Sequence, residues 1–320
     1  MRLNVGRSGS CPASIRYGFA GALVCAGWVL AGVLPASAYE VAEVHNGGTI
    51  TGKVTLEGQP VPTSQGFNLV TFPDPEYCGR ISNGSGWRLL YDFSTDQAGG
   101  LKDVVVLLEG VEKGRPFDLS VPRVEARDCQ FQPFVTVVRN GHAVEVVNMD
   151  PVMHDIQAYE TSPQLGPRVI FNSPLPMNAH HQRGNIHATH RHMPGPSMLE
   201  PMHLHKGRNL FVMQCGFHAF MLSWGLAVSN PYYAITDRTG TYKIDNVPPG
   251  SYRMVAWHPY IGTMSEEIVA VKPDGRVEVR FSMKAPAGRR TAHQVVDNPR
   301  FGLESLGRPL HIEPLVEHQH

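Results

Sequence analysis

The residues able to do chemistry gather in Arg208 to Met221, RNLFVMQCGFHAFM, where Cys215, His218 and Met221 follow the apolar run Leu210, Phe211, Val212, Met213. A thiolate, an imidazole and a thioether are soft or borderline donors, a set that favours copper over hard cations. One more imidazole would complete a site of two imidazoles, one thiolate and a weak axial thioether. The candidate is His154, 61 residues upstream, at the end of the strand-like run Val144 to Met153. Cys, His and Met beside a strand are also what ordinary core packing leaves, and only their joint spacing with the upstream His argues for a metal. Zinc fits less well, because structural zinc takes four Cys or His ligands.

Cys-x2-His-x2-Met after an apolar strand, with the upstream Asn-x-Asp-x3-His of Asn148, Asp150 and His154, resembles the type 1 copper site of cupredoxins. CGFHAFM is most similar to the short ligand loop of amicyanin, since plastocyanin-like loops set more residues between His and Met. The resemblance implies one type 1 copper with His154, Cys215, His218 and Met221 as ligands, and His218 nearest the exposed end of the site. The dinuclear copper centre of cytochrome oxidase has a related loop but needs a second Cys, and none lies near Cys215. Cupredoxins commonly carry Asn after the first ligand His to tie the ligand loops together. Here Asp155 stands there, and an ionised carboxylate accepts hydrogen bonds without donating them.

The elements that must position these residues read as strands throughout. In Gly47 to Pro62, Ile50, Val54 and Leu56 alternate with Thr and Lys, a half-buried strand and a turn. Residues 63–100 carry little periodicity and read as a long loop with short strands, and Leu101 to Val111 as a clear strand. Phe131 to Val138 and His142 to Asn148 read as a hairpin through Arg139-Asn140-Gly141, because Asn-Gly suits a two-residue primed turn. Downstream, TDRTGTYKIDNVPPGSYRMVAW, residues 236–257, resembles the carboxypeptidase regulatory-like, transthyretin-like sandwich, and GTITGKVTLEG resembles its first strand. Two more strands follow at Glu267 to Val271 and Arg276 to Met283.

The expected fold class is therefore all-β: a cupredoxin-like Greek-key β-sandwich over residues 119–230, nested in a carboxypeptidase regulatory-like β-sandwich formed by 39–118 and 231–285. Neither flank alone supplies enough strands to close two sheets. A domain inserts readily where its termini lie close together. Two tandem domains are the alternative.

Within the copper domain, the stretch 174–206 interleaves His180, His181, His187, His190, His192, His203 and His205 with Met177, Met193, Met198 and Met202. It reads either as a mobile insertion and secondary metal site, since such density binds copper, or as a plain solvated loop. PMHLHKG is only weakly similar to the His-x-His motifs of multicopper oxidases, which set a His-Cys-His beside the type 1 copper. Cys215 lies between Gln214 and Gly216. His258 in AWHPY reads as structural.

Residues 1–38 have the form of a cleaved secretory signal: Arg2, Arg7 and Arg16, an apolar stretch, then Ala36-Ser37-Ala38. That predicts a periplasmic protein with no membrane span after cleavage. Removing the signal leaves 25 basic residues against 28 acidic, so no basic excess points to nucleic acid. Cys11 and Cys25 leave with it. Of the remaining three, Cys78 and Cys129 form the natural disulfide and Cys215 is the odd thiol, unless all three are free. Residues 286–320, rich in Pro, Arg and His, read as an extended tail.

No Ser-His-Asp or paired-carboxylate constellation has interpretable spacing, so no catalytic residue and no enzyme activity is expected. The expected function is one-electron transfer by a periplasmic type 1 copper protein between redox partners, a cytochrome or an oxidoreductase. The alternatives are periplasmic copper storage or delivery, and a docking subunit of a larger redox complex.

Overall fold

His154, Ile156, Ala158 and Glu160 are buried and alternate with half-buried residues along the strand His154–Thr161. Period-two alternation marks a strand with one face on a core. Leu210–Gln214 repeats the pattern with Phe211 and Met213, and Thr241–Val247 with Tyr242 and Ile244. The chain is all-β, built from several packed sheets. The computed structural model describes residues 39–58, 65–81, 86–90, 93–161, 166–177, 192–205, 207–261 and 264–285. The expected signal 1–38, the tail 286–320 and His180, His181, His187 and His190 lie outside them. Among the described residues no helix is long and apolar enough to cross a membrane.

A five-stranded sheet runs in the order Arg168–Leu175, His154–Thr161, Leu210–Gln214, Leu222–Val228, Val135–Arg139. A four-stranded sheet runs Ser197–Pro201, Ala143–Asn148, Arg123–Arg127, Gln130–Gln132. One core joins them: Val124, Ala126, Val144 and Val146 from the smaller sheet, Ile156, Ala158, Phe211 and Met213 from the larger. Cys215 and Met221 belong to the same core. So do Phe67, Leu69, Phe72 and Tyr77, from a stretch the sequence groups with the other sandwich.

A second core lies between Tyr233–Ile235, Val105–Glu109, Gly250–Trp257, Ser265–Val271 and the three strands Thr241–Val247, Gly48–Glu57, Arg276–Lys284. It draws Ile50, Val54, Val106 and Leu108 from before the first core's sheets and Tyr242, Ile244, Met254 and Phe281 from after them. A third cluster packs Val135, Val137, Leu226 and Val228 of the five-stranded sheet against Val105 and Trp257. The five-stranded sheet therefore has apolar side chains packed on both faces.

Three expectations are corrected. The hairpin at Arg139-Asn140-Gly141 does not form: Val135–Arg139 pairs with Leu222–Val228, and Ala143–Asn148 pairs with Arg123–Arg127 and Ser197–Pro201. A primed turn needs positive φ at both central residues, whereas here Gly141 has φ +83° and Asn140 is not in that region. With His142 N–H donating to Arg139 C=O at 3.1 Å, this is the pattern of a type II turn. It carries the chain from one sheet to the other.

The single strand expected over Phe131 to Val138 is split at Pro133, which has no N–H to give a ladder. Gln130–Gln132 lies in the smaller sheet and Val135–Arg139 in the larger. The insertion is also not all loop. Ser197–Pro201 is a strand, and beyond it Met202 and Leu204 are buried while His203 and His205 face out.

Phe211 is buried and faces Gly225 across the strand pair. A Cβ at Gly225 would stand 2.0 Å from the Phe211 ring. Gly225→Ala should therefore destabilise by about 1–3 kcal/mol through overpacking, read as a lower urea midpoint. Combining it with Phe211→Leu should recover part of the loss, and a single variant as stable as the parent would contradict this packing.

Candidate metal centre

His154 opens its strand and Cys215 directly follows Leu210–Gln214, so the antiparallel pair Gln157↔Gln214 brings them to one end of the sheet. The loop to Leu222–Val228 closes on itself: Met221 N–H donates to His218 C=O at 2.8 Å and Cys215 N–H to Met221 C=O at 3.2 Å. Asp155 ties this loop to the His154 strand by accepting from Gly216 N–H. Its other oxygen accepts from Gln157 Nε2 at 2.7 Å. Acceptance alone suffices here, because the partner is a backbone donor.

Three donor atoms converge. His154 Nδ1 and His218 Nδ1 are 3.2 Å apart, and Cys215 Sγ lies 4.0 Å from the first and 3.7 Å from the second. The point equidistant from all three lies about 2.1 Å from each, the length of an imidazole nitrogen bond to a d-block metal and about 0.2 Å short of a thiolate bond. All three residues are fully buried. Met221 is fully buried in the same core and bound to the loop through its backbone.

The outer edges of both imidazoles are committed. His154 Nε2–H donates to Asp150 Oδ2 at 2.9 Å, and His218 Nε2–H donates to Pro73 C=O at 3.0 Å. Partners of this kind fix the tautomer of a ligating His. The two Nδ1 atoms then face each other across 3.2 Å, where a shared proton or a metal ion can be held between them. Asp150 is fully buried and also accepts from Tyr77 Oη at 2.9 Å, Asp128 N–H at 2.7 Å and Cys129 N–H at 2.8 Å. Burial favours its neutral form, but these donors, His154 first, outweigh it and hold its pKa below the ordinary carboxylate value.

The expected disulfide is present between Cys78 and Cys129. It places residues 69–81 over the site, where Cys78 Sγ lies 3.5 Å from His218 Nε2. Phe67 and Phe72 pack edge-on against Phe220 of the ligand loop, at 6.0 and 5.2 Å between centroids. His218 is thus the reverse of the exposed ligand expected. The segment 63–100, featureless in periodicity, supplies its cover.

The described His residues of the insertion do not meet at one place. His192 Nε2 is 3.0 Å from Asp128 Oδ2 and its Nδ1 3.3 Å from Met149 C=O. Burial lowers its pKa, but the Asp128 carboxylate more than offsets this and the net shift is upward. His205 N–H donates to buried Glu160 at 2.8 Å, with His205 Nδ1 3.3 Å from the same carboxylate. His203 lends its C=O to Arg168. Arg168 also forks onto Glu160, and this, with the His205 N–H, outweighs burial and lowers the Glu160 pKa to about 2. Glu160 is six residues along the strand from His154, about 20 Å. His258 is buried, stacks on Phe93 and accepts from Tyr260 N–H at 3.2 Å, a structural setting.

Sequence spacing singled out Asn148 and Asp150 as parts of a motif without their roles. Asn148 Nδ2 donates to Val152, Leu175 and Pro176 C=O, and its Oδ1 accepts from Asp150 N–H. Tyr77 and Pro73, which act from the cover, carried no sequence signal.

Residues 221–279 match the family described as polysaccharide lyase family 4, domain II. No carboxypeptidase regulatory-like match accompanies it. No curated protein matches the chain. Among solved structures, a purple cupredoxin from Nitrosopumilus maritimus is 16% identical, covering 33% of this chain and 99% of that one at a TM-score of 0.24. Amicyanin from Paracoccus versutus is 12% identical, covering 35% and 84% at 0.22. A reduced amicyanin mutant is 14% identical, covering 38% and 98% at 0.23.

Burial pushes the Cys215 thiol up to about 12, and burial beside His154 pulls His218 down to about 4. A folded pKa below the unfolded value near 6.5 means stability present above that pH and lost as pH falls toward 4. For the metal-free protein the loss attributable to His218 between pH 7 and 4.5 should be about 2 kcal/mol. Urea midpoints between pH 7 and 4.5, with and without His218→Gln, measure it. The variant should show a flatter profile, and parallel profiles would contradict the assignment.

Proposed function

We propose that this chain is a type 1 copper protein that passes single electrons between redox partners. The observation that carries this reading is the triangle of His154 Nδ1, His218 Nδ1 and Cys215 Sγ, which brings three buried donors to one point. Two imidazoles, a thiolate and a thioether suit copper better than zinc or a hard cation. In this reading copper supplies a one-electron couple.

The chain's own residues do the rest. His154, Cys215 and His218 would hold the ion, with Met221 as a weak fourth donor. Asp150 and Pro73 fix both imidazole rings, and Asp155 fixes the loop. Burial excludes water. A donor set held from outside changes little between oxidation states, which is what rapid electron exchange requires. The reading includes a periplasmic location after removal of residues 1–38, a cytochrome or oxidoreductase as partner, and no substrate of its own.

Cu(II) added to the metal-free protein should give one bound ion and an intense visible thiolate-to-copper band. Cys215→Ser should abolish the band while leaving the fold intact by circular dichroism. A colourless copper-loaded parent would defeat the type 1 reading.

A further inference from the structure

Every donor at the centre is fully buried, so an ion cannot reach it through the folded surface. What closes the site over His218 is the segment 69–81. It is held by Pro73 C=O on His218, by Phe72 against Phe220, and by Tyr77 on Asp150. Arg80 adds an ion pair to Asp128 at 3.4 Å. All of these are non-covalent and individually modest. The one covalent tie is Cys78–Cys129, and its two ends touch the groups that orient the two imidazoles. Cys78 Sγ lies 3.5 Å from His218 Nε2, and Cys129 N–H binds the Asp150 carboxylate that holds His154.

We propose that the Cys78–Cys129 bond is a latch closed over the metal centre after loading. With both residues as thiols, the segment 69–81 opens locally and His218 reaches solvent, so an ion can be taken up or given back. Closure is thiol–disulfide exchange with an external disulfide oxidant. A Cys78 or Cys129 thiolate attacks one of its sulfurs, the mixed disulfide is displaced by the second thiolate, and the oxidant leaves as a dithiol. Both sulfurs are buried in the closed form, with Cys78 1% and Cys129 0% exposed. The reverse reaction therefore needs prior opening, which orders the events as loading, then sealing. The latch rests on the copper reading for its cargo but not for its motion.

The test separates the two. Acylation of His218 by diethyl pyrocarbonate, followed by peptide mass, reads the motion without any metal. Metal-free Cys78→Ala/Cys129→Ala protein should be modified at His218 roughly tenfold or more faster than the disulfide form. The parent, reduced by a water-soluble phosphine in enough urea to open the segment and then returned to buffer, should match it, which covers a double variant that fails to fold. Copper uptake and release to a chelator should accelerate in parallel. Equal protection of His218 in the disulfide and opened forms overturns the latch, as does uptake that is equally fast in both. Faster acylation with no copper bound in either form leaves the latch standing and overturns the copper reading instead.

Discussion

One buried carboxylate organises the centre. Asp150 has no access to water and accepts from four donors: a tyrosine of the cover, two consecutive backbone N–H groups beside the disulfide, and the imidazole of His154. A buried anion is tolerable only when so satisfied. Because its donors come from three stretches distant in sequence, satisfying one charge fixes the cover, the turn before Gln130 and the His154 ring relative to one another. The turn itself is strained to suit, with Asp128 and Cys129 both at positive φ, 48° and 51°. Their two N–H groups point the same way onto the carboxylate as a result.

The opposite side of the triangle is organised differently. His218 is held by a neutral carbonyl and a disulfide sulfur rather than by a charge. A carboxylate raises the basicity of the imidazole it holds, so the two nitrogens that face each other are not equivalent donors. Toward a bound ion, His154 would be the stronger donor and His218 the weaker.

The meeting of His154, Cys215 and His218 was legible in the sequence because two of them share one tight loop and the third stands at a strand end. Spacing along a strand or a tight loop translates directly into position. The cover was not legible, since residues 65–81 fold as a short strand and helical turns whose contacts with the site are long-range. Tyr77 meets Asp150 across 73 positions and Pro73 meets His218 across 145. Asn140-Gly141 misled because the same dipeptide serves type I′ and type II turns, and the pairing partners decide which. Met202-His203-Leu204-His205 does alternate, buried and exposed, but its metal-binding side chains drew attention away from the apolar pair between them.

The third apolar cluster has a consequence for how the molecule behaves as a whole. Val135, Val137, Leu226 and Val228 carry on their far side the sheet that ends at Cys215, and their partners Val105 and Trp257 belong to the second sandwich. The strands Val135–Arg139 and Leu222–Val228 are packed on both faces, so opening them disturbs both cores at once. The two sandwiches then act as one cooperative unit rather than as beads on a string. An ion bound at His154, Cys215 and His218 would, by mass action, stabilise strands as remote as Gly250–Trp257. Loosening Trp257 would, by the same linkage, weaken the hold on the ion.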